Sequence, residues 1–383
     1  MHSFRFDPVD MPASTLAIRD KVRGFLAEEL AAERFTPHRN SWGSFDAEFS
    51  RRCGAAGFIG MRWPSEYGGG QASALDRHVV IEEMLAAGAP VGAHWIADRQ
   101  SGNNILANGS EVARATILPR IAAGECFFSI GMSEPNSGSD LASVGMRATQ
   151  VDGGWRLNGT KIWTSLAHKT HYLIALARTA DAGENRHEGL TQFIVKLGEG
   201  SGVTTRPIRN LYGDHDFNEV FFDDVFVPDD YVVGDVGAGW QMVTGELAYE
   251  RSGPDRLLST YQLLRQLVDV LGADAGERAQ VAIGRLIAHL ATLRQMSWSV
   301  AGMLEAGQSP ELEASVVKDV GTAFEQEIPE IARLLVAAQA SLTAGDLYSE
   351  ALAQSVFSAP CFSIRGGTRE ILRGIIARGL GLR

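Results

Sequence analysis

The sequence predicts an α+β protein built as three consecutive regions: helical, then β, then helical again. Two changes of texture predict it. From about Ala17 to Arg120, and again from Gly239 onward, apolar residues recur three and four apart, as on one face of a helix. Between them, from Cys126 to about Val233, short runs rich in β-branched and aromatic residues alternate with turn signals. Runs of helix and runs of strand kept apart in sequence indicate α+β rather than alternating α/β. The expected domains are residues 1–125, 126–235 and 236–383.

Each element has its own signal. "LAIRDKVRGFLAEELAAE" and "DRHVVIEEMLAAG" read as amphipathic helices, separated by the Pro/Gly-rich loop "RWPSEYGGGQAS". "GWRLNGTKIWTS", "HYLIALART", "LTQFIVKL" and "NEVFFDDVFVP" read as strands. Asp152-Gly153 and Asn158-Gly159 both suit tight hairpin turns, because such turns need residues that tolerate positive φ. Helices return in "LLSTYQLLRQLVDVLG", "VAIGRLIAHLATLRQMSWSVAGML" and "EIARLLVAAQASL". The end of the chain, "SIRGGTREILRGIIARGLGLR", places Gly366 and Gly367 before a last helix that Thr368 can cap. The free N–H groups at that helix start favour an anion.

Composition excludes several classes. The 383 residues are 45% hydrophobic and 21% charged, an ordinary globular composition. A net charge of −11 argues against nucleic acid and anionic membranes as partners, so an anionic ligand needs a locally basic pocket. Cys53, Cys126 and Cys361 are scattered and odd in number, which suits a reducing compartment and offers neither a disulfide framework nor a zinc site. No apolar run is long enough for a membrane helix, and the first residues lack the pattern of a secretion signal, so a cytoplasmic location is expected. No histidine cluster, nucleophile elbow or dinucleotide fingerprint is present.

Three stretches could carry chemistry. "FFSIGMSEPNSGSD" leaves a strand for a loop of small hydroxyl residues, whose donors suit a planar heterocycle or a phosphate; the bland reading is a Ser/Gly loop with Asp140 capping the next turn. In "KIWTS", Trp163 could wall off a flat ring while Ser165 bonds its edge, or it could be a core tryptophan. In "GELAYERSGPDR", Glu250 falls on a helix beside Leu247, Ala248 and Tyr249, and Pro254 cannot donate to the Glu250 carbonyl. A partly apolar setting there suits a general base with a raised pKa; the bland reading is a surface Glu250–Arg251 pair on a kinked helix.

Taken together these stretches resemble the acyl-CoA dehydrogenase family, in the right order over nearly the whole chain. "MSEPNSGSD" is similar to the family's Thr/Ser-Glu-Pro-x-x-Gly-Ser-Asp signature, through Ser133-Glu134-Pro135 and Gly138-Ser139-Asp140. "LNGTKIWTS", "FFDDVFVP", "RWPSEYGGG" and "GGTREILRGIIA" resemble further segments of it. The resemblance implies a helical N-terminal domain, a central β-domain and a C-terminal four-helix bundle, with FAD held between the last two. It implies that Met132 and Ser133 bond the flavin's pyrimidine edge, that Trp163 flanks its ring and that Ser165 bonds near its reactive nitrogen. Thr368 and Glu370 match positions that contact FAD, and Ser139 lies toward the CoA chain.

Many members carry the catalytic base in a Tyr-Glu-Gly-Thr turn, whereas this chain has Arg365-Gly366-Gly367-Thr368. Gly366 cannot act as a base, though its N–H remains available to a substrate carbonyl. A smaller set of members carries a glutamate before an arginine on the first long C-terminal helix, which matches Glu250-Arg251. Glu250 is therefore expected to take the α-proton of an acyl-CoA, with Arg251 helping to hold substrate or position the helix. The space at Gly366 favours a bulky, branched or polycyclic acyl group. The usual Arg-x-x-Phe-Gly segment is missing from "LGADAGERAQVAIGRL", and "QASLTAGDLYSEALAQ" is a degraded form of the glycine-rich cofactor segment. Expected partners are an electron-transferring flavoprotein as oxidant and a homodimer, homotetramer or mixed oligomer. The rival readings are a non-catalytic or half-site subunit of a mixed oligomer, and a flavin oxidase or monooxygenase on the same scaffold.

Overall fold

The computed structural model describes residues 3–37, 41–181, 183–243 and 251–382. Among these, six helices precede the strands: α1 (Ala13–Ala31), α2 (Ala47–Ala55), α3 (Ala74–Ala86), α4 (Gly92–Ile96), α5 (Gly102–Asn108) and α6 (Glu111–Ala122). A π-helical turn, Ala97–Ser101, joins α4 to α5. The strands are β1 (Phe128–Gly131), β2 (Arg147–Val151), β3 (Gly154–Ser165), β4 (Tyr172–Arg178), β5 (Leu190–Lys196), β6 (Val203–Arg209), β7 (His215–Pro228) and β8 (Val232–Val233). Five helices follow: α7 (Tyr261–Leu271), α8 (Glu277–Glu305), α9 (Glu311–Leu335), α10 (Leu347–Phe362) and α11 (Arg369–Gly379). The helical–β–helical order expected from texture is what the chain adopts.

The chain forms two compact units, each drawn from separated stretches of sequence. One contains residues Met1–Phe45, Ser73–Val91 and Ala248–Arg383; the other contains Asp46–Ala72 and Gly92–Leu247.

The helical unit holds α1, α3 and α7 to α11. Three of its helices, α3, α10 and α11, begin at side-chain caps. Ser73 and Asp76 form a reciprocal capping box on α3, and Asp76 also accepts a buried hydrogen bond from Thr15 of α1 at 2.6 Å. Arg294 of α8 clasps Glu82 of α3 with two bonds of 2.7 and 2.8 Å. Val300, Ala314 and Val317 form a small apolar cluster between α8 and α9, with Phe6 packed on it.

The other unit is built on one sheet in the order β6-β7-β3-β2-β4-β5-β8, with β1 pairing parallel to β4. Its core draws on both faces of the middle strands: β4 is buried along its whole length, and Trp155, Phe193, Phe222 and Val227 pack against it. Removing a side chain such as Phe193 from water stabilises this core by about 1.5–3 kcal/mol. Asp152-Gly153 makes the expected β2–β3 turn, with Gly153 at φ 72°.

Asn158-Gly159 departs from expectation. It is not a turn but the middle of β3, at a register shift where Leu157 faces Val225 and Gly159 faces Phe222. The Asn158 side chain accepts the Asp224 N–H at 2.8 Å, and a Cβ at Gly159 would lie 2.8 Å from Met146 Cγ. The same residue types that make tight turns also make bulges, and local sequence does not separate the two.

Candidate active site

In the sheet unit the signature stretch follows directly from β1. The edges of Glu134 and Ser137 exchange two backbone hydrogen bonds, 2.7 and 3.0 Å, closing a tight turn over Pro135-Asn136. The Ser137 and Ser143 hydroxyls both donate to the Asp140 carbonyl, at 2.9 and 2.7 Å. The Asp140 carboxylate does not cap the following turn, as local sequence suggests; it pairs with Arg186 across the loop. Ser139 is exposed, while Met132 and Ser133 are half-buried.

The Glu134 carboxylate points inward and is fully engaged. It accepts from the Gly145 and Met146 N–H groups, at 2.7 and 2.9 Å, and from Lys161 Nζ at 2.8 Å. Lys161 is 0% exposed, and its ammonium also donates to the Met132 carbonyl at 3.0 Å. Burial pulls Lys161 down to about 8 despite the carboxylate beside it. Nothing in the reading of the sequence singled out Lys161 or this use of Glu134. The available signal was a lysine inside a predicted strand, between Thr160 and Ile162.

Trp163 is 57% exposed, with φ 59°, in a bulge of β3 between Lys161 and Thr164. It is therefore not a core tryptophan. A left-handed bulky residue costs of order 1–3 kcal/mol and persists where the surroundings hold it. Phe217 supports the indole edge-on at 6.0 Å. Ser165 is half-buried, and its carbonyl accepts from Ser129 at 2.8 Å. Because the Ile162 N–H donates to the Ser133 carbonyl at 2.9 Å, the bulge and the signature loop are neighbours. An exposed indole face beside serine hydroxyls and free loop edges fits a flat, hydrogen-bonding ring such as a flavin.

In the helical unit the Arg365-Gly366-Gly367-Thr368 turn links α10 to α11. Gly366 and Gly367 have φ 62° and 96°, conformations that side chains rarely adopt. Thr368 caps α11, accepting from the Ile371 N–H at 3.4 Å, as its position predicts. The exposed Glu370 sits in the first turn, where its own backbone N–H and the Thr368 hydroxyl hold its carboxyl below the usual range. Part of the anion preference of this helix start is thus met by the chain itself.

Arg251 is 2% exposed, and a Cβ on Gly367 would come within 3.5 Å of its Nη2. That overturns the bland reading of Arg251 as half of a surface pair. Glu250 lies outside the described residues. Arg365 folds back into its own unit: its Nη2 donates to Glu325 at 2.8 Å and to Ser259 Oγ at 2.7 Å. Its guanidinium lies 4.8 Å from the Trp42 ring and 4.3 Å from Phe362. Lys318, buried nearby, donates to the Phe362 carbonyl at 2.8 Å and to Thr322 at 2.7 Å, and burial with Arg256 and Arg365 pulls it down to about 7.

Comparison with known proteins is decisive on the family. Three models match in order: the N-terminal domain of acyl-CoA dehydrogenase over residues 12–125, its middle domain over 129–225 and its C-terminal domain over 237–381. The chain belongs to the acyl-CoA dehydrogenase family. It is 34% identical over 377 residues to the acyl-CoA dehydrogenase IpdE1 of Mycobacterium tuberculosis, covering 95% of this chain and 97% of the relative. It is also 34% identical over 328 residues to FadE34 of the same organism, spanning 85% of this chain but only 45% of FadE34. Among solved structures, the Tcur3481-Tcur3483 steroid ACAD superposes with a TM-score of 0.86 at 25% identity, covering 98% of this chain and 99% of that one.

The dehydrogenase is thus an oxidoreductase with FAD as its cofactor. Among the described residues no group of three or more His, Cys, Asp or Glu side chains could hold a metal ion. None of its described helices is long and apolar enough to cross a membrane.

Proposed function

We propose that this dehydrogenase removes the α-proton of an acyl-CoA thioester with Glu250 and yields the 2,3-enoyl-CoA. When bound, FAD supplies the acceptor for the hydride that leaves the β-carbon. The observation that carries the reading is the turn at Gly366-Gly367. It holds no carboxylate, both glycines are left-handed, and the residue packed beside it is the buried Arg251, which follows Glu250 in sequence. A base is still required; Glu325 beside the turn is taken up by Arg365 and Ser259, and Glu250, which precedes the arginine packed on Gly367, is the acid we favour.

In this reading the Gly366 N–H helps polarise the thioester carbonyl, so that charge developing on the enolate oxygen is stabilised where it forms. Arg251 packs beside the turn at Gly367. Met132, Ser133, Trp163 and Ser165 serve the flavin ring, Thr368 and Glu370 serve cofactor binding, and Ser139 lies toward the CoA chain. The absence of a side chain at Gly366, with the steroid ACAD among similar structures, supports a bulky or polycyclic acyl group. The two-protein name of that ACAD accords with assembly as a mixed oligomer, and an electron-transferring flavoprotein fits as the oxidant.

The test is anaerobic bleaching of the bound flavin by a series of branched, long and polycyclic acyl-CoAs. Glu250→Gln should keep the yellow colour and slow bleaching by roughly 10²–10⁴-fold, the usual contribution of a general base. Bleaching at the wild-type rate would remove Glu250 from the reaction.

A further inference from the structure

We infer that Lys161 is a positioning residue for the flavin: it fixes the signature loop and the Trp163 bulge as one rigid surface. This rests on the reading above, in which Met132, Ser133 and Trp163 face the cofactor.

A fully buried lysine in a strand needs a reason, because an ammonium without partners is costly to take from water. Here the fold makes room for it. Gly131 leaves space for the stem: a Cβ there would lie 3.3 Å from Lys161 Cγ and 2.9 Å from Leu173 Cδ2. The ammonium then ties three pieces of chain together. It bonds the Met132 carbonyl at the start of the loop. Through Glu134 it reaches the Gly145 and Met146 N–H groups, where the loop returns to β2. Its own backbone leads directly into the Trp163 bulge.

The consequence for Ser133 is specific. On one side, its peptide plane is fixed by the bond from Lys161 to the Met132 carbonyl. On the other, the Ser133 carbonyl accepts from Ile162 and the Glu134 N–H donates to Ser137. Both peptides flanking the Ser133 hydroxyl are therefore held, and one of the two is held by Lys161. A donor aimed at a ring edge is effective only when its geometry is fixed before binding. A merely structural lysine would affect folding alone, whereas a positioning lysine also sets how the flavin is held.

The experiment compares Lys161→Met, Glu134→Gln and Ser133→Ala for apoprotein melting temperature, FAD dissociation constant by flavin fluorescence, and midpoint potential of the bound flavin. Lys161→Met is expected to retain native far-UV dichroism, weaken FAD binding at least tenfold and shift the potential. Glu134→Gln should move both readouts in the same direction by a smaller factor, and it carries the test if Lys161→Met does not fold. A folded Lys161→Met, or failing that Glu134→Gln, with FAD affinity within twofold of wild type and an unchanged potential would overturn the inference. Ser133→Ala separates the two claims. If it weakens FAD binding while the Lys161 and Glu134 variants do not, the loop contacts flavin and only the positioning role falls. If it too leaves FAD unaffected, the contact reading itself fails.

Discussion

Each unit contains a buried ion pair beside one of its candidate stretches, and the two pairs are built differently. Lys161–Glu134 is close to self-contained. One positive and one negative group meet, and the carboxylate's remaining capacity is taken up by the N–H groups of Gly145 and Met146. Arg365–Glu325 sits instead in cationic company, with Lys318 and Arg256 near enough to influence one another's protonation. Among the described residues Nη2 of Arg365 is well bonded whereas Nε and Nη1 are buried without a hydrogen-bond partner, and the guanidinium lies against Trp42 and Phe362. The loop is thus held by directed hydrogen bonds alone and the turn by stacking plus the Nη2 bonds to Glu325 and Ser259. Directed bonds fix orientation, which a ring edge demands, whereas stacking fixes position and leaves a positive field near a turn that has no acid of its own.

The largest way to break this comparison is at the turn. Arg365→Leu strands Glu325, which is 1% exposed, and breaking a buried pair on one side costs about 3–5 kcal/mol. The denaturant midpoint should fall accordingly, with FAD affinity affected less than in Lys161→Met. A variant as stable as wild type would show that neither the ion pair nor the guanidinium stacking holds the turn.

The next prediction sharpens the comparison through pH. Both lysines have folded pKa values below the unfolded value of 10.5, about 7 for Lys318 and about 8 for Lys161, in each case chiefly from burial. Between the folded and unfolded values the unfolded chain binds more protons, so each lysine makes stability rise with pH in its window. The slope is at most about 1.4 kcal/mol per pH unit for each group. Lys318→Met should therefore remove a rise that begins near pH 7, and Lys161→Met one that begins near pH 8. Urea unfolding across pH 6.5–9.5 reads the difference, and identical profiles for the two variants would sink it.

The smallest expected effect is at the α11 cap. Thr368→Ala removes a cap bond of 3.4 Å, which places its cost near the low end for caps, about 0.5–1 kcal/mol. It should lower the melting temperature slightly and leave the Lys161 side of the comparison untouched. A loss as large as that of Arg365→Leu would mean that the cap, not the ion pair, holds the turn.

Much of this was open to reading in the sequence. The order of helical and β regions follows from hydrophobic period alone, and the Thr368 cap and the Asp152-Gly153 turn follow from local residue chemistry. Those features depend on neighbours a few positions away, where spacing is geometry. Gly366 and Gly367 also announce themselves, because few other residues enter a left-handed turn.

What only the tertiary structure decided depends on partners far apart in the chain. Lys161 meets Glu134 across 27 positions and Arg365 meets Glu325 across 40, and no local pattern shows that either cation is buried. Trp163 is the sharpest case. Its residue type favours a core position, yet a bulge against β7 turns it out to solvent. Residue type sets what a side chain can do, whereas the register of a distant strand sets which way it faces, and that register is a property of the assembled sheet.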